Sequence, residues 1–202
     1  MQRVILVDDE AAVRDALAFL LDSRGLPVQA FDSGEAVLQW LDAAGTPVRG
    51  CFLLDVRMPS MSGLALFDAL QARGLSNPVL FLTGHGDIPM AVDALKRGAF
   101  DFLEKPYADN TLVDHLVAAL AVEEAAFARD ALDRERAARL ASLTGREREV
   151  MLRVAAGRMN KVIADELHIA VRTVEVTRAR VFAKLGVRSA AEVATLLASQ
   201  RP

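Results

Sequence analysis

Three acids in succession, Asp8, Asp9 and Glu10, follow the apolar run Val4-Ile5-Leu6-Val7. Carboxylates this close repel one another, and setting them at the end of a buried run costs desolvation unless a cation sits among them. Three later runs end in residues of related use. Cys51-Phe52-Leu53-Leu54 ends in Asp55, Val79-Leu80-Phe81-Leu82 ends in Thr83, and Phe100-Asp101-Phe102-Leu103-Glu104 ends in Lys105-Pro106. An acid cluster, a lone Asp, a hydroxyl and an ammonium are the parts that hold a divalent cation and a phosphoryl group. Mg²⁺ takes oxygen ligands and keeps several waters, so one or two carboxylates and a carbonyl suffice. Asp9 and Asp55 are the expected direct ligands, with Asp8 binding directly or through water. Glu10 is expected to face solvent or to cap the next helix. With a cation neutralising the acids, a phosphoryl group can approach Asp55, and carboxylate attack on phosphorus gives an acyl phosphate. Thr83 can donate a hydrogen bond to that product, and Lys105 can pair with it as a point charge.

These residues meet only if the runs are parallel strands, because open α/β sheets gather their ligand sites outside the carboxyl ends of the strands. Helical patterns lie between them. The first carries Val13, Leu17, Leu20 and Leu21 and ends at Gly25; a strand over Pro27–Phe31 follows. Asp32 and Glu35 have capping-box spacing before a helix with Val37, Leu38 and Leu41 inward. A loop with Pro59 and Gly63 precedes a helix with Leu64, Phe67 and Leu70, and another helix runs near Pro89–Arg97. The last carries Leu112, Val113, Leu116, Val117 and Leu120. Five strands alternating with five helices predict a doubly wound five-stranded parallel sheet over residues 1–120.

Residues 121–141 hold no Gly or Pro and are rich in Ala, Glu, Asp and Arg, which predicts a helical linker continuing the preceding helix. Leu116, Leu120, Phe127 and Leu140 form an imperfect stripe: either a partner helix covers it or the segment is a solvated connector. Residues 142–202 predict four short helices. Thr144 and Glu147 make a capping box, and that helix stops at Gly157. Asn160 is the expected cap of a second helix with Ile163, Ala164 and Leu167 inward. A turn at His168-Ile169 leads to a longer helix over Val171–Leu185, stopped by Gly186, and Ser189 with Glu192 opens the last. Two helices joined by a tight turn suggest a helix-turn-helix. Ala170, at the start of the longer helix, has no oxygen with which to cap it.

Hydrophobic residues make up 52% of the chain, and no apolar run approaches the roughly 18 residues of a membrane span. Acids follow the first apolar run at once, unlike a signal peptide, so a cytoplasmic location is expected. The single cysteine, Cys51, excludes an internal disulfide and a cysteine-rich metal site. The formal charge is −7 over residues 1–120, −1 over 121–141 and +5 over 142–202, within a total of −3. The acidic and basic portions suggest two domains with different partners, the basic one suited to nucleic acid.

Residues 1–120 resemble the receiver domain of bacterial two-component response regulators. The resemblance rests on Val7-Asp8-Asp9-Glu10, Leu54-Asp55-Val56-Arg57-Met58-Pro59, Gly63, Leu82-Thr83-Gly84 and Glu104-Lys105-Pro106. Gly84-His85-Gly86-Asp87 and Ala99-Phe100-Asp101-Phe102 are similar to the FixJ group in particular. It implies that Asp55 accepts phosphate from a sensor histidine kinase, with Mg²⁺ at Asp8, Asp9, Asp55 and the backbone carbonyl of Arg57. It also implies that Thr83 and Phe102 form the switch, Phe102 lying three residues before Lys105 where the family has its rotating aromatic. Arg57, two residues after Asp55, and His85, two after Thr83, are expected to border the phosphate.

Residues 142–199 resemble the LuxR-type helix-turn-helix of the NarL/FixJ regulators, through Leu143-Thr144, Arg146-Glu147-Arg148-Glu149-Val150, Asn160-Lys161, Ile163-Ala164, Arg172-Thr173-Val174-Glu175-Val176 and Lys184-Leu185. Two departures are Ala170, where the family commonly has Ser or Thr, and Thr177, where it often has His. At 100° per residue Val174, Val181 and Leu185 fall on the core side of the longer helix. Arg172, Val176, Ala179, Arg180 and Ala183 fall opposite, with Glu175 at the margin and Thr173 among the expected DNA contacts. Arg can bond guanine, Glu can accept from cytosine, and Val or Ala can touch thymine methyls. Lys161, Arg178 and Lys184 are expected on phosphates, which position without specifying; for Arg178 an internal ion pair is the alternative.

The expectation is a transcription factor, not an enzyme, switched by phosphorylation of Asp55, pairing with a second copy when phosphorylated and binding double-stranded DNA. The first rival is a Mg²⁺-dependent phosphotransferase acting on small substrates. Hydrolases with an Asp nucleophile typically place it in an Asp-x-Asp element, whereas Asp55 is followed by Val56-Arg57. The second rival is an RNA- or protein-binding output. Phe182 is the only aromatic in residues 142–202, so no pair of rings is present to stack bases.

Overall fold

Strands built of Val, Ile, Leu and Phe without polar alternation bury themselves only where both sheet faces are covered. The computed structural model describes residues 1–44, 48–84 and 88–198, and it places such strands at the centre of a sheet. The strands are β1 (Arg3–Val7), β2 (Val28–Phe31), β3 (Gly50–Asp55), β4 (Val79–Thr83) and β5 (Asp101–Glu104). Their order is β2-β1-β3-β4-β5, all parallel. The half-exposed β2 and β5 take the edges; β3 is buried along its whole length. Period-two alternation sends Ile5, Val7, Phe52, Leu54, Val79 and Phe81 to one face and Val4, Leu6, Cys51, Leu53, Leu80 and Leu82 to the other. Each such side chain contributes about 1.5–3 kcal/mol on burial.

Helices cover both faces. α2 (Gly34–Ala44) and α3 (Gly63–Ala72) supply Val37, Leu66, Phe67 and Leu70 to the first face, and α4 (Ile88–Lys96) adds Ala94. α1 (Ala11–Ser23) and α5 (Asp109–Ala141) supply Leu17, Leu21, Leu112, Leu116 and Ala119 to the second. The chain leaves β1 for β2 on one side and returns to β3 on the other. The crevice between the carboxyl ends of β1 and β3 is therefore the topological switch point, where such sheets bind ligands.

α5 is one continuous helix of 33 residues, and the boundary between two compact units, residues 1–127 and 128–202, falls within it. The expected stripe is covered within the units themselves. Leu116 and Leu120 pack in the sheet core, and Leu140 belongs to the core of the second unit. The Arg49 guanidinium lies 3.6 Å from the Phe127 ring centroid. Arg49 also bonds Glu123 at 2.6 Å and pairs with Glu124, while Gln2 Nε2 donates to Glu123 Oε2 at 2.5 Å.

The second unit holds α6 (Gly145–Ala155), α7 (Asn160–Leu167), α8 (Val171–Leu185) and α9 (Ala190–Ala198). α6 opens on the expected capping box: Glu147 N–H donates to Thr144 Oγ1 and Thr144 N–H to Glu147 Oε2. The cap expected at Asn160 is not there. Met159 holds the N-cap position of α7 without a side-chain bond, and Asn160 is the first helical residue. Its Oδ1 accepts from Arg178 Nη1 at 3.0 Å, which takes the oxygen a cap would offer. The turn between α7 and α8 passes through His168 in the left-handed region, φ 52°. α8 ends at Gly186, φ 69°, where a Cβ would stand 2.6 Å from Arg139 Nη1.

Two expected outcomes follow from the helix termini. Lys184 Nζ, 2.7 Å from Glu147 Oε2, and the Thr144 N–H hold the Glu147 carboxyl at about 2, below its ordinary 4.5. An acid lowered in this way contributes stability that is full above its unfolded value and lost as pH falls through the folded one. Amide exchange in α6 and α8 should therefore separate wild type from Glu147→Gln near neutrality, and the separation should shrink as pH falls from 4.5 to about 2; a constant separation contradicts the assignment. At the start of α8, Ala170 is the N-cap, with extended backbone (φ −68°, ψ 145°) and no side-chain bond. Ala170→Ser should stabilise the second unit by about 0.5–2 kcal/mol, read as a raised thermal midpoint; an unchanged midpoint counts against a vacant cap.

Candidate functional site

The carboxyl edge of the sheet gathers the residues that the strand ends suggest. Asp8 follows β1 directly and is 1% exposed; Asp55 closes β3 and is 8% exposed; Thr83 closes β4 and is fully buried. Lys105 follows β5, and its N–H donates to Thr83 O at 2.7 Å, carrying the ladder one step past the strand. Its ammonium then reaches back across the edge to Asp55 Oδ1 at 2.6 Å and Asp8 Oδ2 at 3.4 Å. The second oxygen of each acid is held by backbone two residues on: Glu10 N–H donates to Asp8 Oδ1 at 2.9 Å and Arg57 N–H to Asp55 Oδ2 at 2.8 Å. Each carboxylate is thus fixed by one oxygen and offers the other to a shared cation.

Gly63 makes room for this. A Cβ at Gly63 would stand 2.1 Å from Asp55 O, and its N–H donates to Val56 O at 3.1 Å. The first turn of α3 lies flat against the backbone that carries Asp55, an approach closed to any other residue.

Burial pushes the Asp55 carboxyl above its ordinary value, against the pull of Lys105 and the Arg57 N–H, and the nearby Asp8 adds to the rise. Burial also works against the Lys105 ammonium, but its hydrogen bond to Asp55 and the charges of Asp55 and Asp8 outweigh it and raise its pKa. The lysine taken alone would pull the acid down, and for Asp55 desolvation wins. The pair is a firmly charged Lys105 beside a carboxylate whose charge is costly without it.

Asp9 and Glu10 are exposed; Glu10 is the N-cap of α1 but makes no side-chain cap bond. Arg57 is exposed as well, and His85 lies outside the described residues. Phe102 is half-buried, opposite Phe81 in the β4–β5 register and packed against the first core face. Among the described residues no group of three or more His, Cys, Asp or Glu converges as a metal cage; the edge offers two convergent carboxylates. Arg14, absent from the expected set, donates from Nη1 to the carbonyls of Asp8 and Asp9. Its only mark in the sequence is its place one turn beyond the acids.

In the second unit α8 buries Val174, Val181 and Leu185. The opposite side carries Arg172, its side chain 85% exposed, with Thr173, Glu175, Val176, Ala179, Arg180 and Ala183, all exposed; Lys161 is exposed on α7. Two cations expected on DNA phosphates have partners inside the unit. Arg178 bonds Asn160 and lies 5.1 Å from the Phe182 ring centroid, and Lys184 bonds Glu147 and Ser142 O. No helix of the described residues is long and apolar enough to cross a membrane.

Comparison with known proteins matches both units. Residues 4–117 match the response regulator receiver domain, and residues 141–197 match the luxR family of bacterial regulatory proteins. The chain is 50% identical over 195 residues to the C4-dicarboxylate transport transcriptional regulatory protein DctR of Rhodobacter capsulatus, covering 96% of this chain and 98% of that one. It is 45% identical over 193 residues to the transcriptional regulatory protein FixJ of Bradyrhizobium diazoefficiens, covering 96% and 93%. The solved structure of the response regulator StyR superposes with a TM-score of 0.88 at 40% identity, covering 98% of this chain and all of that one. The chain is therefore a two-component response regulator of the NarL/FixJ type, a transcriptional regulator joining a receiver domain to a LuxR-type DNA-binding domain.

Proposed function

We propose that a sensor histidine kinase phosphorylates Asp55, that the phosphorylated receivers pair as a homodimer, and that the paired helix-turn-helix domains bind an operator in duplex DNA. The observation that carries the reading is the Lys105 ammonium held between Asp55 and Asp8 at the switch point of the sheet. Two carboxylates already converging on one cation suit Mg²⁺, which takes one or two carboxylates and fills its shell with water. Asp8, Asp9 and Asp55, with the Arg57 carbonyl, are the groups to hold it. Once bound, Mg²⁺ neutralises the acids and draws negative charge from the phosphoryl oxygens.

The chain's own residues do the rest. Asp55 attacks phosphorus with a carboxylate oxygen, and the kinase histidine nitrogen leaves with its bonding pair. Lys105 turns to the new phosphate as a counter-charge. Thr83, buried on the neighbouring strand end, donates its hydroxyl, and Phe102 moves with it, remodelling the surface of α4, β5 and α5. Phosphorylation thereby biases two receiver states. The only chemistry assigned to the receiver is the phosphorylation and dephosphorylation of its own aspartate. In this reading residues 1–120 are the receiver, 121–141 the helical linker and 142–202 the DNA-binding domain, and the protein works in the cytoplasm.

On α8, Arg172, Thr173, Glu175, Val176, Ala179 and Arg180 face the major groove, and Lys161 meets a phosphate. Arg178 and Lys184, with their bonds to Asn160 and Glu147, brace α8 for that contact.

Asp55→Asn should abolish acid-labile phosphorylation by acetyl phosphate with Mg²⁺, read on a phosphate-retarding gel. Normal incorporation into that variant would overturn the assignment. In duplex-DNA shift assays Lys161→Ala should weaken all sequences alike and lower the salt slope by about 1. Arg180→Ala should instead relax sequence preference, costing roughly 1–3 kcal/mol at a guanine it reads. Equal sequence profiles and salt slopes for the two variants would mean the faces are wrongly assigned.

A further inference from the structure

Arg14 is the fourth residue of α1, and its side chain ties down the backbone of the first two acids. Its Nη1 donates to Asp8 O at 2.8 Å and to Asp9 O at 2.9 Å. Its backbone N–H donates to Glu10 O at 3.0 Å. The guanidinium therefore holds the carbonyls of Asp8 and Asp9, while the bond to Glu10 O is the helix's own main-chain bond and does not depend on the side chain. Little else orders this loop from the helix side: α1 has no side-chain cap at Glu10. On the carboxylate side, the Glu10 N–H is turned to Asp8 Oδ1.

We infer that Arg14 is a positioning residue for the cation site: it holds the loop so that the carboxylates of Asp8 and Asp9 are presented to Mg²⁺ before the ion arrives. This rests on the reading of the carboxyl edge as a Mg²⁺-assisted phosphorylation site.

Two effects of the guanidinium oppose each other, and their signs separate the possibilities. As a fixed positive charge beside the backbone of the acids it repels a second cation, so removing it should tighten Mg²⁺ binding. As a strap it spares the ion the cost of ordering the two residues whose carbonyls it holds, so removing it should weaken binding. The charge sits on the carbonyl side of the backbone in a half-exposed position, where water screens it. The strap acts on the backbone that carries two ligands, and losing a partner that orients a metal ligand typically costs about 10–100-fold in affinity. The strap should win, at about tenfold.

The test uses the full chain and Mg²⁺ alone, titrated calorimetrically into wild type, Arg14→Met and Arg14→Lys. Amide exchange of Asp9 and Glu10 is followed without the ion. Arg14→Met should bind Mg²⁺ about tenfold more weakly and exchange those amides faster, with Arg14→Lys between it and wild type. A merely structural arginine would lower the thermal midpoint and leave the affinity of the folded protein unchanged. Unchanged or tighter binding in Arg14→Met overturns the inference, as does unchanged exchange. Should Arg14→Met fail to fold, Arg14→Gln carries the same expectations, since its short amide cannot span both carbonyls. Wild type that does not bind Mg²⁺ at all would instead sink the reading of the site itself.

Discussion

The ion pairs of Lys105 with Asp55 and Asp8 are the constraint on which the receiver half depends. A parallel sheet with this strand order has no choice about its polar edge: the carboxyl ends of β1 and β3 lie side by side at the switch point. Asp8 and Asp55, placed there, are buried together. Two carboxylates 1% and 8% exposed need a cation between them. Lys105 reaches them only because its own N–H extends the β4–β5 ladder past Thr83. The hydrophobic strands, the register and the ammonium form one device, and removing any of them leaves unpaired buried charge.

The same geometry suits the switching proposed above. A carboxylate that burial pushes toward its neutral form is stabilised as an anion only by its neighbours. Adding a phosphoryl group and a divalent ion changes which groups those neighbours serve. Lys105 has two acids to choose between, so a new anion at Asp55 alters the balance without moving a strand. In the proposed reading Thr83 and Phe102, on adjacent strands, answer such a change; Thr83 is fully buried, and among the described residues its hydroxyl has only Gly84 O, at 3.4 Å, to donate to.

Much of this was legible in the sequence because it obeys short periods. An apolar run ending in a polar residue marks a strand end, and four such ends give the edge. The core side of α8, its stop at Gly186 and the vacant cap at Ala170 follow from 3.6-residue periodicity and helix-end chemistry. What was not legible depends on partners far apart in the chain. Asn160 looks like a cap until Arg178, eighteen residues on, takes its oxygen. The bond of Lys184 to Glu147, 2.7 Å away and thirty-seven residues earlier in the chain, gives no sign of itself in the sequence. Phe127 looks like part of an open stripe until Arg49, seventy-eight residues earlier in the chain, lies over its ring. Arg14 escapes for another reason: it bonds carbonyls, and no residue pattern signals which carbonyls need a donor.

α5 is anchored separately in each unit. Its early part is fixed by core packing and by Arg49 on Glu123, Glu124 and Phe127. Its end is fixed by Leu140 in the second core and by Arg139, whose Nη1 donates to Leu185 O at 3.1 Å and whose Nη2 pairs with Glu135. Between these, residues 128–138 are exposed throughout. A helix of that length has little stability of its own in water, since isolated helices shorter than roughly 12–15 residues are marginal. Its alanines and close-range pairs such as Arg136 with Asp133 add only a few tenths of a kcal/mol each. The order of this exposed stretch therefore rests on the anchored residues at either end of it, not on contacts of its own.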